Sequence, residues 1–316
     1  MQKMRDVLVR EVGLRDGLQL VKAMLPTKTK LDWIRAEAAA GMPEIEATSF
    51  VPPKVIPQFA DAADVAAGLH DIDGPVMCTL VPNRKGAELA LAAGFKKINF
   101  VISVSETHNQ ANVRRSTERS LQEFSDISAM RKERPEWAGV VLQCGLATSL
   151  GCTLEGDVPP ARVLSFVEAV CEVGANEVSL ADTVGYASPA EVRHLFTETA
   201  KITGSRPIYA HFHDTRGLGL ANVMAALEAG CRHFDASIGG LGGCPFAPGA
   251  TGNIVMEDTV FLLEKEGLKT GVDLTALEEA RRIAVAALPE EIFYGSIFKA
   301  GLPKGFTPSI HAVAAE

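Results

Sequence analysis

Short runs of β-branched and apolar residues alternate along the chain with longer stretches rich in Ala, Leu and Glu. The short runs indicate buried strands, and the longer stretches, where apolar residues recur every three or four positions, indicate helices. Eight strands are predicted, over residues 7–12, 44–48, 75–81, 97–104, 139–146, 177–182, 207–213 and 233–238. Helices are predicted between them, for example over residues 29–40, 84–93, 117–132, 160–173 and 189–203.

Ala and Gly stand just before several of these strands, in AAGMPEIEA, AAGFKKINF, EVGANEVSL and EAGCRHFDA. A glycine at this place commonly ends a helix. Strands that alternate with helices predict a parallel sheet, and a count of eight favours closure into a (β/α)8, or TIM, barrel. An open doubly wound sheet is the alternative. We predict a barrel domain over residues 1–272 and a C-terminal extension of helix and loop over 273–316 that packs on it.

The overall composition narrows the classes of partner. The formal net charge of −8 at pH 7 argues against a protein that binds nucleic acid by neutralising phosphates. Six scattered cysteines without a CxxC pair are typical of reduced thiols in a cytoplasmic protein. The N-terminus MQKMRDVLVREV lacks the apolar run of a signal peptide, and no stretch of the sequence reaches the roughly 20 apolar residues of a membrane span. We therefore expect a cytoplasmic protein that binds neither nucleic acid nor membranes.

The motif His211-Phe212-His213-Asp214 closes the seventh predicted strand. Side chains alternate faces along a strand, so both histidines point one way and Phe212 points the other. Inside a barrel this arrangement places two imidazoles in the lumen and packs Phe212 against the outer helices. Two such imidazoles suit a divalent metal, although two hydrogen-bonded core histidines would give the same pattern.

A second polar group, Arg15-Asp16-Gly17, follows the first predicted strand. In a closed barrel this strand neighbours the eighth and lies near the seventh, which brings Asp16 towards the histidines. Two imidazoles, a carboxylate and an amide oxygen suit Mg²⁺, Mn²⁺ or Zn²⁺. Arg15 could stabilise an oxyanion beside them. A surface turn with Gly17 at a positive φ is the alternative.

Glycines are concentrated after the last predicted strand, in the run GGLGGCPFAPGATGN from Gly239 to Asn253. Such a run predicts a lid or a close approach of the backbone to a ligand. Cys244 would lie at its tip, where a thiol can donate or accept a proton, or it is a loop cysteine without a role. Asn253 supplies an amide oxygen or is a plain helix N-cap.

Together the segments REVGLRDGLQ, IEATSFVPPKVIPQ, SLADTVG, HFHDTRGLGLAN and the glycine run resemble hydroxymethylglutaryl-CoA lyase over about residues 7–271. The wider group comprises metal-dependent barrel lyases and synthases with an Asp and an HxH pair. The resemblance implies a divalent cation, Mg²⁺ or Mn²⁺ with Zn²⁺ as a further option, held by Asp16, His211, His213 and Asn253. It implies catalytic roles for Arg15, Cys244, His211, Asp182 and Glu46. It also implies binding of an acyl-CoA by Gln19, Lys22, Ser49 and Asn112.

The reaction implied is the retro-Claisen cleavage of a 3-hydroxy-3-methyl acyl-CoA to acetyl-CoA and acetoacetate, as in leucine or ketone-body catabolism. The base could be a metal-bound water, His211 or Asp182. The alternatives are cleavage of citramalyl-CoA to pyruvate and acetyl-CoA, cleavage of a bulkier 3-alkyl substrate, a related condensing synthase, or a metal-containing scaffold without activity. We also expect a homodimer or a higher homo-oligomer.

Three residues depart from the family's pattern. Thr107, His108 and Arg216 stand where the family has aromatic or apolar residues. None of them belongs to the implied ligand set, so they bear on the identity of the substrate rather than on the type of reaction.

Overall fold

The strands form a closed parallel barrel. The computed structural model describes residues 5–242 and 252–312. Within these ranges eight strands pair in chain order, and the last pairs with the first. They are β1 Leu8–Glu11, β2 Glu44–Ser49, β3 Val76–Leu80, β4 Lys97–Ser103, β5 Val141–Ala147, β6 Glu177–Asp182, β7 Ile208–Phe212 and β8 His233–Ala236. The predicted TIM barrel is confirmed, and the open doubly wound alternative is wrong.

Helices lead back along the outside of the barrel between the strands. The described residues contain α1 Thr27–Ala39, α2 Ala62–Ala67, α3 Arg84–Ala92, α4 Glu106–Val113, α5 Thr117–Glu133, α6 Pro160–Val173, α7 Pro189–Thr203, α8 Gly219–Glu228, α9 Met256–Lys265, α10 Leu274–Ala287, α11 Ser296–Ala300 and α12 Ser309–Ala312. Helices α6 and α7 have the predicted bounds. Strands β3 and β7 begin one residue later than predicted, because Pro75 and Pro207 have no N–H to donate to the sheet.

The lumen near the amino ends of the strands holds charged side chains. Arg10 donates to both oxygens of Asp235 at 2.8 Å and to Gln143 Oε1 at 2.7 Å. Lys97 Nζ lies 2.5 Å from Glu177 Oε2. Buried charges need partners of this kind because they have left water. These cross-barrel contacts also identify the strand positions whose side chains face the lumen.

The apolar core lies between the strands and the helices. The Phe100 ring on β4 lies 5.8 Å from the Phe124 ring on α5. The Phe212 ring on β7 lies 6.0 Å from that of Phe196 on α7. The prediction that Phe212 packs outwards while the histidines beside it point inwards is therefore confirmed.

The segment after residue 272 lies against the barrel. Helix α10 packs on α1, and Asp273 N donates to Ala40 O at 2.8 Å. Tyr294 N donates to Gly239 O at 2.7 Å, where the glycine run begins. The division into a domain over 1–272 and an extension over 273–316 stays a prediction. In the part of the chain that the structure describes, no helix has the length and apolarity needed to span a membrane.

Candidate active site

Three side chains that can bind a metal converge at the carboxyl ends of β1 and β7. A π-helical turn, Gly13–Gly17, follows β1 and carries Asp16. His211 lies on β7 and His213 directly after it. One ligand atom from each of the three lies within 4.8 Å of the others. The Nε2 atoms of the histidines are 3.2 Å apart, and His213 Nε2 lies 3.7 Å from Asp16 Oδ2.

Asn253 joins this group from the end of the glycine run. A β-bridge pairs it with His213. Its Nδ2 donates to Asp16 Oδ2 at 2.8 Å and to Leu241 O at 3.0 Å. Its Oδ1 is buried and has no hydrogen-bond partner within residues 5–242 and 252–312. A buried oxygen without a donor is costly, and turning the amide by 180° would direct this oxygen at a cation beside Asp16. The carboxylate, the amide oxygen and the two imidazoles therefore fit a divalent metal.

The Asp16 carboxyl is held in its ionised form. Burial raises its pKa, but the Arg15 guanidinium and the neighbouring imidazoles of His213 and His211 hold the pKa far below its usual range. Arg15 Nη1 donates to Asp16 Oδ1 at 2.7 Å, and Gln19 Nε2 donates to the same oxygen at 2.9 Å. Side chains thus occupy Oδ1, while Oδ2 faces the histidines and Asn253.

Glu46 fixes Arg15 from the neighbouring strand. Arg15 Nε donates to Glu46 Oε2, and Asn99 Nδ2 donates to Glu46 Oε1 at 2.7 Å. The Glu46 side chain is buried, whereas that of Arg15 is 12% exposed. Arg15 Nη2 makes no hydrogen bond to any described residue. The arginine is therefore rigidly placed beside Asp16 with one donor group left for a ligand.

Asp235 orients His211, a role that was not predicted from the sequence. Asp235 Oδ2 lies 3.1 Å from His211 Nδ1, and Arg10 holds the same carboxylate from below. A carboxylate at Nδ1 keeps the proton on that nitrogen, so Nε2 offers its lone pair to a metal. The available signal was an acidic residue within the eighth predicted strand, whose pairing with His211 follows from the register of β7 and β8.

The Asp182 carboxylate is bound to the backbone of the loop after β6. Its two oxygens accept hydrogen bonds from Tyr186 N at 2.9 Å and from Ala187 N at 3.0 Å. Burial raises the pKa of the Asp182 carboxyl above its usual value, although these N–H groups and the charge of His213 oppose the rise. These contacts give Asp182 a part in shaping the loop, and its catalytic role stays a prediction.

The four residues predicted to bind acyl-CoA differ in their surroundings. Lys22 and Asn112 are exposed. Gln19 is hydrogen-bonded to the carboxylate of the candidate metal group. Ser49 is buried, and its hydroxyl group is hydrogen-bonded to two backbone atoms. The structure brings Gln19 to the metal group, and all four contacts with acyl-CoA stay predictions.

Cys244 lies outside the described residues, and its role as a proton donor or acceptor stays a prediction. The described ends of the glycine run border the metal group. A Cβ at Gly242 would lie 2.5 Å from Asn253 Nδ2 and 3.3 Å from Asp16 Oδ2, and Gly242 has a φ of +124°. Only glycine fits such a position, so the predicted close approach of the backbone to the site is present at Gly242.

Two of the residues that depart from the family's pattern lie beyond strand ends, His108 on α4 and Arg216 in the loop after β7. His108 is buried, with its Nδ1 2.8 Å from Ser103 Oγ at the end of β4. The Arg216 guanidinium lies 4.4 Å from the centre of the Tyr186 ring and donates to the carbonyl of Val184 at 2.9 Å. Neither residue belongs to the metal group.

Comparison with known proteins identifies close relatives. The family model described as HMGL-like matches residues 7–284. The chain is 41% identical over 278 residues to the hydroxymethylglutaryl-CoA lyase YngG of Bacillus subtilis. The alignment covers 88% of this chain and 92% of that protein. It is 38% identical over 285 residues to a 3-hydroxy-3-isohexenylglutaryl-CoA/hydroxymethylglutaryl-CoA lyase of Pseudomonas aeruginosa. That alignment covers 90% of this chain and 93% of that protein.

Solved structures agree with this result. An HMG-CoA lyase from Acinetobacter baumannii, in complex with coenzyme A and 3-methylmalate, matches with a TM-score of 0.88 at 39% identity, over 96% of this chain and 97% of that one. The carboxyl transferase domain of Rhizobium etli pyruvate carboxylase matches over 93% of this chain and 50% of that one, with a TM-score of 0.68 at 18% identity. At that identity the likeness is one of fold alone.

Proposed function

The chain belongs to the HMGL-like family, and we propose on that basis that it is a divalent-metal-dependent carbon–carbon lyase that cleaves hydroxymethylglutaryl-CoA. The products are acetyl-CoA and acetoacetate. The observation that carries the proposal is the convergence of Asp16, His211 and His213 beside Asn253, whose side-chain amide oxygen lacks a donor among the described residues. A related structure that holds coenzyme A and 3-methylmalate supports an acyl-CoA substrate.

Asp16, His211, His213 and Asn253 hold the ion in this proposal. We favour Mg²⁺ or Mn²⁺, because two of the four donors are oxygen atoms, and Zn²⁺ is the alternative. When bound, the cation supplies Lewis-acid polarisation of the hydroxyl and carboxylate oxygens of the substrate.

The reaction divides the substrate between C2 and C3. A base takes the proton from the C3 hydroxyl, the oxygen becomes a carbonyl, and the C2–C3 bond breaks. The electron pair of that bond forms the enolate of acetyl-CoA, which then takes a proton at carbon. The chain must therefore stabilise negative charge on the thioester oxygen while keeping water away from the enolate.

Arg15 is the residue best placed to stabilise the enolate oxygen. Its Nε and Nη1 are fixed by Glu46 and Asp16, and Nη2 remains to donate to the thioester oxygen. A donor that is already fixed needs no reorganisation as charge develops, and one such donor contributes about 3–4 kcal/mol to the transition state. Glu46 thus acts by positioning Arg15.

Asp182 and Cys244 are two of the residues considered for proton transfer. Both oxygens of Asp182 are occupied by backbone N–H groups, so Asp182 positions the loop after β6 in this proposal rather than acting as the base. Cys244 delivers the proton to the enolate carbon. Lys22 and Asn112, both exposed, contact the coenzyme A part of the substrate.

Turnover of a small set of acyl-CoA substrates tests the proposal. With Mg²⁺ or Mn²⁺ present, hydroxymethylglutaryl-CoA should give acetyl-CoA and acetoacetate in equal amounts, measured by liquid chromatography and an acetoacetate assay. Asp16→Asn should fold and lose most of this turnover, because the ligand group loses its carboxylate. Asp273→Asn, at the N-cap of α10, where asparagine caps a helix as well as aspartate does, is the matched control and should retain turnover.

Other products would change the assignment. Cleavage of citramalyl-CoA to pyruvate without cleavage of hydroxymethylglutaryl-CoA would replace the proposed substrate. Condensation of acetyl-CoA with a keto acid, without any cleavage, would make the protein a synthase. No turnover of any member of the set would contradict the proposal as a whole.

A further inference from the structure

One side of the barrel lumen is lined by small side chains. TIM-barrel interiors are usually filled by layers of bulky branched residues. In this barrel, five of the lumen positions of β4, β5 and β6 above the charged side chains carry small side chains or a valine: Val101, Gly145, Ala147, Ser179 and Ala181. We call these five residues the small-residue wall.

Contacts inside the barrel establish that the wall faces the lumen. Gln143 accepts a hydrogen bond from Arg10 across the barrel and donates to Glu177 at 3.2 Å. The residues two and four positions after Gln143 and after Glu177 therefore also face inwards. On β5 and β6 these are the wall residues. A Cβ at Gly145 would lie 3.4 Å from Cγ2 of Val101, which places that side chain on the same face.

Solvent reaches the wall although its residues lie within strands. Val101, Gly145 and Ala147 are only half-buried, and Ala181 is 9% exposed. The outward-facing residues that alternate with them are 1% exposed or less, because helices cover that side. The accessible surface of the wall is therefore on the lumen side, where the larger side chains typical of a TIM barrel are replaced by open space.

The wall begins at the metal group. Ala181 is paired with His211 in the register of β6 and β7, and Ser179 is paired with Gly145 one strand further on. Gly145 is in turn paired with Val101. The open space thus runs from the side of His211 across three strands. It ends below at the layer of polar and charged side chains that includes Gln143.

We propose that the small-residue wall receives the C3 substituent of the substrate, and that the chain cleaves 3-hydroxy-3-alkylglutaryl-CoA thioesters whose alkyl group is longer than methyl. This inference rests on the proposed function. The carboxylate, hydroxyl and thioester groups of such a substrate are polar and belong at the metal group and Arg15. The alkyl group is the one apolar branch at C3, and the wall is the apolar surface beside the metal group.

The chemistry is the same cleavage with a longer branch. The C3 hydroxyl loses its proton, the C2–C3 bond breaks, and its electron pair forms the enolate of acetyl-CoA, which is protonated. The alkyl group leaves on C3 as part of a 3-oxo acid. Gly145 and Ala147 are then specificity-determining residues, because a larger side chain at either position would fill the space that the alkyl group needs.

The test compares two substrates, hydroxymethylglutaryl-CoA and 3-hydroxy-3-butylglutaryl-CoA, by the release of acetyl-CoA. The wild-type protein should cleave the butyl compound with a kcat/KM at least equal to that for the methyl compound. Gly145→Leu should lower kcat/KM for the butyl compound about 100-fold more than that for the methyl compound. A side chain fits at Gly145, because the nearest atoms to an added Cβ are at ordinary van der Waals distance.

Gly139→Leu is the matched control, because Gly139 is exposed near the start of β5 and an added Cβ would meet nothing within 4 Å. It should leave both substrates unchanged. Ala147→Val is the second variant, in case Gly145→Leu does not fold by near-ultraviolet circular dichroism. It should lower kcat/KM for the butyl compound about tenfold more than that for the methyl compound.

Two results would overturn the inference. A wild-type preference of about 100-fold for the methyl compound would show that the wall does not admit the longer branch, while the proposed lyase function would stand. Equal losses on both substrates in a folded Gly145→Leu or Ala147→Val protein would show that the wall does not distinguish them. If the wild-type protein cleaves neither compound, the proposed function fails together with the inference.

Discussion

At the scale of single residues, two of the candidate ligands, His211 and Asp16, are held by further side chains. Asp235 holds the Nδ1 atom of His211, and Asn253 and Gln19 each donate to a different oxygen of Asp16. Partners of this kind fix the tautomer and the direction of a ligand before the ion arrives. These partners therefore hold His211 and Asp16 in place before an ion binds.

Asp235→Asn tests this view of His211. An amide in place of the carboxylate removes the charge that keeps the proton on His211 Nδ1, so Mn²⁺ affinity should fall about 10–100-fold. Electron paramagnetic resonance of free Mn²⁺ measures the affinity, and ¹⁵N NMR of the histidine ring reports the tautomer. Asp273→Asn, at the N-cap of α10, where asparagine caps equally well, should change neither. Unchanged Mn²⁺ affinity in a folded Asp235→Asn protein would contradict the orienting role.

The convergence of Asp16, His211 and His213 could be predicted from two general rules, while their role as metal ligands, like that of Asn253, stays a prediction. Strand alternation sets His211 and His213 on one face, and closure of the barrel brings Asp16 to them. The partners of the ligands could not, because they depend on register between distant strands. Asp235 meets His211 only through the pairing of β7 with β8. For Ser49 the resemblance implies a contact with acyl-CoA, whereas the structure shows its hydroxyl group hydrogen-bonded to two backbone atoms.

At the scale of elements, buried carboxyl groups join the two loops that border the site. Glu11, at the end of β1, accepts hydrogen bonds from Gly13 N at 2.6 Å and from Ile238 N at 3.1 Å. It thereby links the turn that carries Asp16 to the start of the glycine run. Burial raises the pKa of the Glu11 carboxyl to about 8, although these two N–H groups lower it.

Two further glutamates lie near Glu11. Glu257 on α9 accepts hydrogen bonds from Gly239 N at 3.0 Å and from Arg281 Nη1 at 2.7 Å. Glu37 on α1 accepts a hydrogen bond from Trp33 Nε1. Burial is the main cause of the raised pKa of both carboxyl groups, and repulsion between the glutamates adds to it for Glu37. The cluster thus favours bound protons in the folded state.

These raised pKa values predict that stability falls as pH rises. The folded protein keeps protons that the unfolded chain releases above about pH 4.5, so the stabilisation is complete below that pH and is lost as pH rises through about 8. The free energy of unfolding should decrease from about pH 6 to about pH 9, by at most about 1.4 kcal/mol per pH unit for each group. Urea unfolding across this range measures it.

Glu37→Gln should flatten this dependence. The amide oxygen can still accept the Trp33 hydrogen bond, but the side chain no longer ionises. Glu279→Gln, which removes an exposed carboxyl on α10 that pairs with Arg282, is the matched control and should leave the slope unchanged. Identical slopes in the wild-type and Glu37→Gln proteins would mean that the cluster does not titrate in this range.

Element bounds were predictable where the signals are local. Helix α7 has the predicted bounds because Ser188 and Glu191 form a capping box and Gly204 follows the last turn. Helix α4 received no prediction. Its end is marked by Arg114 at a φ of +54°, a conformation that the identity of that residue does not announce.

At the scale of the whole molecule, closure of the sheet is what makes one site out of distant segments. The pairing of β1 with β8 brings the Asp16 turn against the end of the glycine run, 237 residues further along the chain. The count of strands predicted this closure. The open side of the lumen was not predictable, because it depends on which small residues share a layer across β4, β5 and β6. A homodimer or higher homo-oligomer stays a prediction.

Mn²⁺ titration of the metal-free protein, with hydroxymethylglutaryl-CoA cleavage measured at each step, tests most directly whether cleavage depends on a cation at this group. Bound Mn²⁺ is counted by electron paramagnetic resonance, and acetyl-CoA release gives the rate. Cleavage should be absent without metal and rise in proportion to bound Mn²⁺ until each chain holds a single ion at Asp16, His211, His213 and Asn253. Asp16→Asn should neither bind the ion tightly nor recover. Full cleavage by protein in which metal analysis finds no ion would contradict the account.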